Sequence, residues 1–544
     1  MLIKLIGAKC IGINAVPVFV EVNINQGLGI HLVGLADIAV KESLLRTMTA
    51  LQSAGFKIPG KKIVINLAPA DIHKNGSGFD LPIALGIIAA SGQIEFPDME
   101  DFLIMGELGL DASVRPIKGA LPMVELAQQR KMRACILPLD SASEAAGCYD
   151  IPLYGVRNLM DVLLILTNGQ VPSGKGGISE IKPTFTLFDH KEAFYEPMPL
   201  SDDIMDFSEI IGQENAKRGL EIAAAGSHNA IMIGTPGSGK SSLAKALAGI
   251  LPPISREEAI ITSKIYSVAG KRLSTEGLIC HRPFRAPHYS ASMPAIIGGG
   301  NGENIMPGEV SLAQFGILFL DEFTQIPRNV AESLRGPLED RKVIISRLRS
   351  RVEYPASFML VAAANPCPCG YYGDGDRCTC TLVQRTNYLS KLSGPIMDRI
   401  DIQIWMHPVD AKLLVNAGRK PQGESSRTIA RRVTRARAIQ AARFAGSGIF
   451  TNSEMNNRQI NTFCPLSAEC KELMEKIVVK MGLSARAYTR VVKMARTIAD
   501  LEMAAEEMRW NGEDRLTGNL QEIPIGPKHL LEAASYRFLD KNKA

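Results

Sequence analysis

The stretch that most constrains this chain is Gly234-Thr235-Pro236-Gly237-Ser238-Gly239-Lys240-Ser241. An apolar run, Ala230-Ile231-Met232-Ile233, precedes it, and Ser242-Leu243-Ala244-Lys245-Ala246-Leu247 follows as a helix. Strand, glycine-rich loop and helix in that order make a phosphate cradle. Glycines let the backbone turn tightly and aim its N–H groups inward, and the helix N-terminus adds partial positive charge where an anion sits. Gly234 through Ser242 are therefore the expected nucleotide contacts. Lys240 can reach the outer phosphates, and the Ser241 hydroxyl can hold Mg2+. A chance match is the competing reading in a chain with 48 glycines. Agreement of the pattern with both flanks outweighs it.

The chain has 544 residues, room for about three or four domains. A hydrophobic content of 46% supports large buried cores and excludes a disordered protein. The net charge of +5 neither demands nor excludes nucleic acid. Met1-Leu2-Ile3-Lys4-Leu5-Ile6 lacks the apolar core and cleavage site of a secretory signal. Apolar runs such as residues 81–90 are about half of what a membrane span needs. Ten cysteines in so long a chain do not make a disulfide scaffold. The expectation is a cytoplasmic protein with reduced thiols and no membrane partner.

Further on, Gly316-Ile317-Leu318-Phe319-Leu320-Asp321-Glu322 reads as a buried parallel strand ending in two carboxylates. Such an end lies beside the phosphate loop in an open α/β sheet. There Asp321 completes the Mg2+ shell and Glu322 orients the attacking water. A third apolar run, Phe358-Met359-Leu360-Val361-Ala362-Ala363-Ala364, ends in Asn365, whose amide can hold that water. Asp206-Phe207-Ser208-Glu209-Ile210-Ile211-Gly212-Gln213 opens this region. Its Ile210 and Ile211 are apolar enough to cover a base, with a plain core strand edge as the alternative.

In this combination the segments resemble AAA+ ATPases. The resemblance implies Ile211 against the adenine and Asn365 as the sensor 1 residue. Pro395-Ile396-Met397-Asp398-Arg399-Ile400-Asp401 is similar to the arginine-finger segment of the branch containing magnesium chelatases and replicative helicases. Arg399 would then enter the neighbouring subunit's site; a surface salt bridge with Asp398 or Asp401 is the other open reading. Gly482-Leu483-Ser484-Ala485-Arg486-Ala487-Tyr488 resembles the sensor 2 segment, with Arg486 touching the γ-phosphate of the same subunit.

Residues 282–308 interrupt the core between loop and Asp-Glu strand. Residues 338–353 read as a β-hairpin with a basic tip, where Arg347, Arg349 and Arg351 alternate and so share one face of an extended strand. In the C-terminal part, Arg427, Arg431 and Arg435 fall at helical spacing. Both sets read either as solvated faces or as tracks for a phosphate backbone. Cys367-Pro368-Cys369 and Cys378-Thr379-Cys380 bring four thiols close enough for tetrahedral Zn2+, although idle cysteines in a reduced loop are the alternative.

The N-terminal part alternates strand-like and helix-like runs. Asn66-Leu67-Ala68-Pro69-Ala70, Gly76-Ser77-Gly78-Phe79-Asp80-Leu81-Pro82 and Gly106-Glu107-Leu108-Gly109 resemble the Lon-protease-like domain of the magnesium-chelatase-like family. Gly78, with Ser77 beside it, falls where a protease nucleophile belongs, and Leu121 where its lysine belongs. A serine without a positioned base is a poor nucleophile, so a scaffold is expected rather than a peptidase.

Across nearly the whole chain the order resembles the ComM/YifB family of magnesium-chelatase-like AAA+ ATPases. The implied fold is α/β and multidomain: a Lon-protease-like α+β N-terminal domain (1–165), a linker (166–204), an AAA+ P-loop α/β core with helix-2 insert and presensor hairpin (205–410), and a helical C-terminal lid (411–544). The implied function is a ring-forming ATPase, expected to be a hexamer using ATP and Mg2+, that translocates on single-stranded or branched DNA and drives branch migration in natural transformation or recombination; a structural Zn2+ rests on the cysteine spacing alone. The alternatives are a metal-chelatase motor subunit, for which no Asp-x-Ser-x-Ser motif is present, and an ATP-dependent protease.

Overall fold

Burial alternates with period two along Lys62–Ala68: Ile63, Ile65 and Leu67 are fully buried and the residues between them are not. One packed face is the cause. The computed structural model describes residues 2–34, 38–72, 74, 76–96, 99–169, 182–188, 205–271, 277–300, 305–347, 350–392, 394–409, 423–510 and 523–541. Among these, eight strands form the first sheet, in the order 186–188, 153–156, 134–138, 102–104, 2–11, 14–25, 62–68, 30–33. The long hairpin of Leu2–Ile11 and Asn14–Asn25 is antiparallel, and Phe102–Ile104, Ala134–Pro138 and Leu153–Val156 run parallel. Helix Asp80–Ala90 is apolar all round after Asp80 and buried at all but its last position, as a core helix must be.

The second sheet shows no alternation. Ala230–Gly234, Ile317–Leu320 and Met359–Ala364 are buried at every position, because both faces are covered. Its order is 284–285, 317–320, 359–364, 230–234, 402–406, all parallel. All strand C-termini therefore share one edge. Strand 359–364 lies between the other two motif strands, so Asn365 emerges between the phosphate loop and Asp321.

The two sheets are joined by specific contacts. Gly119 N donates to Ser267 O at 3.1 Å, and Lys264 Nζ pairs with Glu125 at 2.7 Å.

Several sequence expectations change here. The stretch 166–204 does not begin as a bare linker: Thr186–Phe188 pairs antiparallel with Leu153–Val156, and Thr184 Oγ1 donates to Asp161. The first sheet thus extends past residue 165; a three-residue edge strand is too short to show a period. Residues 170–181 and 189–204, including Gly174–Gly177, lie outside the described residues. Phe284–Arg285 is an edge strand of the core sheet, so the insertion begins after it rather than at Arg282. Arg282 is a brace, donating to Phe315 O and Pro252 O at 2.7 Å each and to Glu258 at 2.8 Å.

The hairpin of Lys342–Arg347 and Ser350–Pro355 is present, with Arg347 opposite Ser350 and Ser346 opposite Arg351. Directly opposed residues share a face. Arg347 therefore lies on the face of Ile345 and Val352, and Arg351 on the other. Alternation does not carry through a turn, so the arginines do not share one face; Arg349 lies outside the described residues.

The C-terminal region is helical. Ser426–Arg443 and Ala485–Trp510 pack on Glu214–Gly226 and on each other. The Arg427, Arg431, Arg435 row is not a surface stripe: Arg427 is exposed, Arg431 half-buried and Arg435 buried. Four-residue steps drift by about 40° each on a helix, and the row turns into the core beside Val433 and Ala436. The three arginines therefore do not form one exposed row.

One buried carboxylate ties these helices together. Asp500 accepts from Arg443 at 2.6 and 2.9 Å, Arg496 at 3.0 Å and Asn452 at 2.8 Å. Asp500→Ala should cost about 3–5 kcal/mol, since it strands two buried guanidinium groups. The expected signature is faster amide exchange in helices 426–443 and 485–510, with the first sheet unchanged.

Candidate active site

Backbone shape comes first in the loop. Gly237 and Gly239 have φ of +79° and +90°, the left-handed region that favours glycine. At Gly234 a Cβ would stand 2.8 Å from both Cβ and O of Met406, so only glycine lets the strands approach. Lys240 opens the helix Lys240–Ala248, and its Nζ donates to Gly234 O at 2.6 Å and Thr235 O at 2.9 Å, with Asn365 Oδ1 at 3.4 Å. Desolvation lowers the Lys240 pKa, and Asp321 opposes that shift. The Ser238 hydroxyl is buried with no partner among the described residues. Ser242 is half-buried in the first turn.

Ser241 Oγ donates to Asp321 Oδ2 at 2.8 Å, although the two are eighty residues apart. The other carboxylate oxygen accepts from Glu322 N at 2.8 Å. Glu322 has φ of +46°, a strained value for a side chain of its size, and its carboxylate is exposed at the sheet edge. Ile210 points into the core, whereas Ile211 is half-buried. Gln213 Nε2 donates to His407 O at 2.7 Å, which anchors this segment at the same edge as the loop. A glycine cradle, an orphaned hydroxyl, a lysine and a hydroxyl–carboxylate pair suit a nucleoside triphosphate with Mg2+, which prefers few protein oxygens.

The two arginines lie elsewhere. Arg399 is buried and pairs with Glu339, and its Nη1 donates to Pro395 O at 2.7 Å. The expected surface pair with Asp398 or Asp401 gives way to Glu339, and Asp401 pairs with Arg490 instead. The Arg399 hydrogen bond, with added charge from Arg486 and Arg490, holds the Glu339 carboxyl below its ordinary range. Asp401 is paired with Arg490 and accepts from Asn229 N at 3.0 Å, with His228 at 3.5 Å. Burial pushes the Asp401 carboxyl up, but Arg490 and His228 outweigh it and hold it well below the carboxylate range.

Register fixes the consequence. Ile402 lies opposite Ala230, and Met406 opposite Gly234, in parallel strands. Asp401 and Arg490 therefore sit at the N-terminal end of the strands and the phosphate loop at the C-terminal end, about 13 Å of strand away. Arg486 is one exposed turn before Arg490 on Ala485–Trp510. The expected contact of Arg486 with the same chain's γ-phosphate does not fit this arrangement. Glu339 carries no local signature as a partner of Arg399, and for Arg490 the sequence offers only its four-residue spacing from Arg486, which puts the two on a shared helix face.

The four cysteines do converge. The Sγ atoms of Cys367, Cys369, Cys378 and Cys380 all lie within 4.8 Å of one another, with separations of 3.3, 3.7 and 3.8 Å among the first three. Tetrahedral zinc with Zn–S bonds near 2.3 Å sets sulfurs about 3.8 Å apart, so the set fits that ion. In the first sheet, Leu121 is buried in helix Ala120–Gln129, and Ser77 Oγ donates to Glu107 rather than to a lysine.

Comparison with known proteins agrees with this geometry. A family model described as magnesium chelatase, subunit ChlI, matches residues 206–414; the subunit ChlI model of Mg-chelatase matches 20–141, and the ChlI C-terminal model 423–509. The chain is 40% identical over 532 residues to competence protein ComM of Haemophilus influenzae, covering 97% of this chain and 96% of that one. It is 37% identical to YifB of Escherichia coli (strain K12), covering 98% and 96%. It is 27% identical to the magnesium-chelatase 38 kDa subunit of Rhodobacter capsulatus, over 30% of this chain and 51% of that one.

Lys240→Ala should abolish nucleotide binding or hydrolysis, measured by nucleotide titration and phosphate release. Glu322→Gln should still bind ATP but hydrolyse it about 10²–10⁴-fold more slowly, since an amide cannot polarise water as a carboxylate does. Near-normal turnover would remove Glu322 from that role.

Proposed function

The chain belongs to the ComM/YifB-type family of magnesium-chelatase-like AAA+ proteins, and on that premise we propose that it is a ring-forming ATPase that translocates on DNA and drives branch migration, in natural transformation or recombination. Within one subunit, loop residues 234–242 bind the phosphates, Ile211 covers the base, and Asn365 with Glu322 holds and polarises the attacking water. Ser241 and Asp321 hold Mg2+, which when bound neutralises charge on the phosphate oxygens. Arg399 and Arg486 act in the neighbouring subunit's site.

One observation carries the reading: the hydrolytic groups and the arginines stand at opposite ends of the same parallel strands. A single chain cannot join them, and a closed head-to-tail ring joins every pair. Six subunits is the ring size proposed. Arg399 exchanges Glu339 for the neighbour's transferring phosphoryl group, where charge develops.

DNA as the substrate rests on the family and on the exposed Arg347 and Arg351 at the hairpin tip. Standing on opposite faces, they suit a strand passing over the tip rather than along one side. The first sheet acts as a Lon-like scaffold without peptidase chemistry, since residue 121 supplies no base. The four cysteines hold a structural zinc. A chelatase motor is the second reading, favoured by the match to the 38 kDa subunit.

Arg399→Ala and Glu322→Gln should each be nearly inactive alone, and mixing them should restore part of the ATPase, because some interfaces then carry both intact groups. An assembled Arg399→Ala ring with normal hydrolysis would remove the finger. Forked or single-stranded DNA should stimulate wild-type hydrolysis, with stimulation falling steeply with salt. Arg347→Ala with Arg351→Ala should lose the stimulation and keep basal turnover; ATPase responding to a porphyrin instead would favour the chelatase motor.

A further inference from the structure

The four-cysteine loop is built onto the nucleotide site. Cys367, fully buried, follows Asn365 by two residues at the end of strand Met359–Ala364. Gly370, in the left-handed region at φ +87°, lies so close to the phosphate loop that a Cβ there would stand 3.1 Å from Pro236 Cγ. Tyr372 packs edge-on against Trp405 at 6.0 Å, and Trp405 belongs to the strand beside Ala230–Gly234. Guanidinium groups of Arg377 and Arg385 cover Tyr371 and Tyr372 at 4.2 and 4.1 Å. The loop thus touches the sensor strand, the phosphate loop and the next strand at one edge.

Resting on the zinc reading above, we propose that the Cys367–Cys380 metal site positions the hydrolytic machinery: a tetrathiolate zinc locks Asn365 against the Pro236 turn, so zinc and nucleotide bind with positive coupling. The chemistry requires this direction if the contact is rigid. A metal closing the loop removes freedom that the nucleotide otherwise has to remove, and coupling between two binding events is reciprocal. Metal-linked thiolates also hold this geometry more tightly than four free thiols, which are joined by no covalent bond and at most by weak sulfur hydrogen bonds.

The test uses the full chain carrying Glu322→Gln, which is expected to hold ATP with little turnover. Elemental analysis should give one zinc per chain. Zinc affinity is then measured by competition with a chromogenic chelator, in excess Mg2+, with and without ATP. ATP should tighten zinc binding by about fivefold or more, and adding Lys240→Ala should erase the difference. Absence of stoichiometric zinc would overturn the metal site and the coupling together. One zinc per chain with the same affinity in both conditions would overturn the coupling and leave the zinc reading intact. Cobalt in place of zinc supplies a second readout: tetrahedral thiolate bands that shift on adding ATP support the coupling, and bands indifferent to ATP count against it.

Discussion

The parallel register of five strands governs the arrangement of this molecule. Because all five point the same way, their C-terminal ends gather at one edge, and the phosphate loop, Asp321 and Asn365 meet there without being near one another in sequence. Parallel order with both faces covered requires helical crossovers and a long apolar run in each strand. The same register exiles Asp401, Arg399 and Arg490 to the opposite end. The phosphate loop with its carboxylates and the arginines are therefore held a strand's length apart by strand register.

The lid is attached to that far end through charge. Asp401 is fully enclosed, and its desolvation is offset by Arg490 from the lid helix and the Asn229 amide from the core. A buried pair of this kind adds little net stability but is costly to break. His228 links the same point to the lid through Thr497 at 2.8 Å. Movement of the lid helix is thereby tied to the segment carrying Arg399, since Asn229 Nδ2 also donates to Arg399 O at 2.9 Å.

The parts legible in the sequence are those with local signatures. Gly234–Ser241, Asp321 and Asn365 each end an apolar run, and strand ends in an α/β sheet are where ligands bind. The four cysteines carried their own spacing. What was not legible depends on contacts between distant residues or on backbone shape. Glu339 lies sixty residues from Arg399. The left-handed Glu322 has no compositional mark. Alternation puts Arg347 and Arg351 on one face only if it runs on through a turn, which it does not, and spacing alone does not say which way the helix carrying Arg435 is rolled. The strand Thr186–Phe188 escaped notice inside a stretch with loop composition.

The clasp between Glu339 and Arg399 has a consequence for the economy of the cell. Glu339 is more than half exposed, so solvent screens its grip on the buried arginine, a grip that the chain makes within itself. On the function proposed above, a subunit outside a ring keeps its finger folded against itself. Hydrolysis would then scale with completed interfaces rather than with the number of chains, and newly made protein would not drain the nucleotide pool while it waits to assemble.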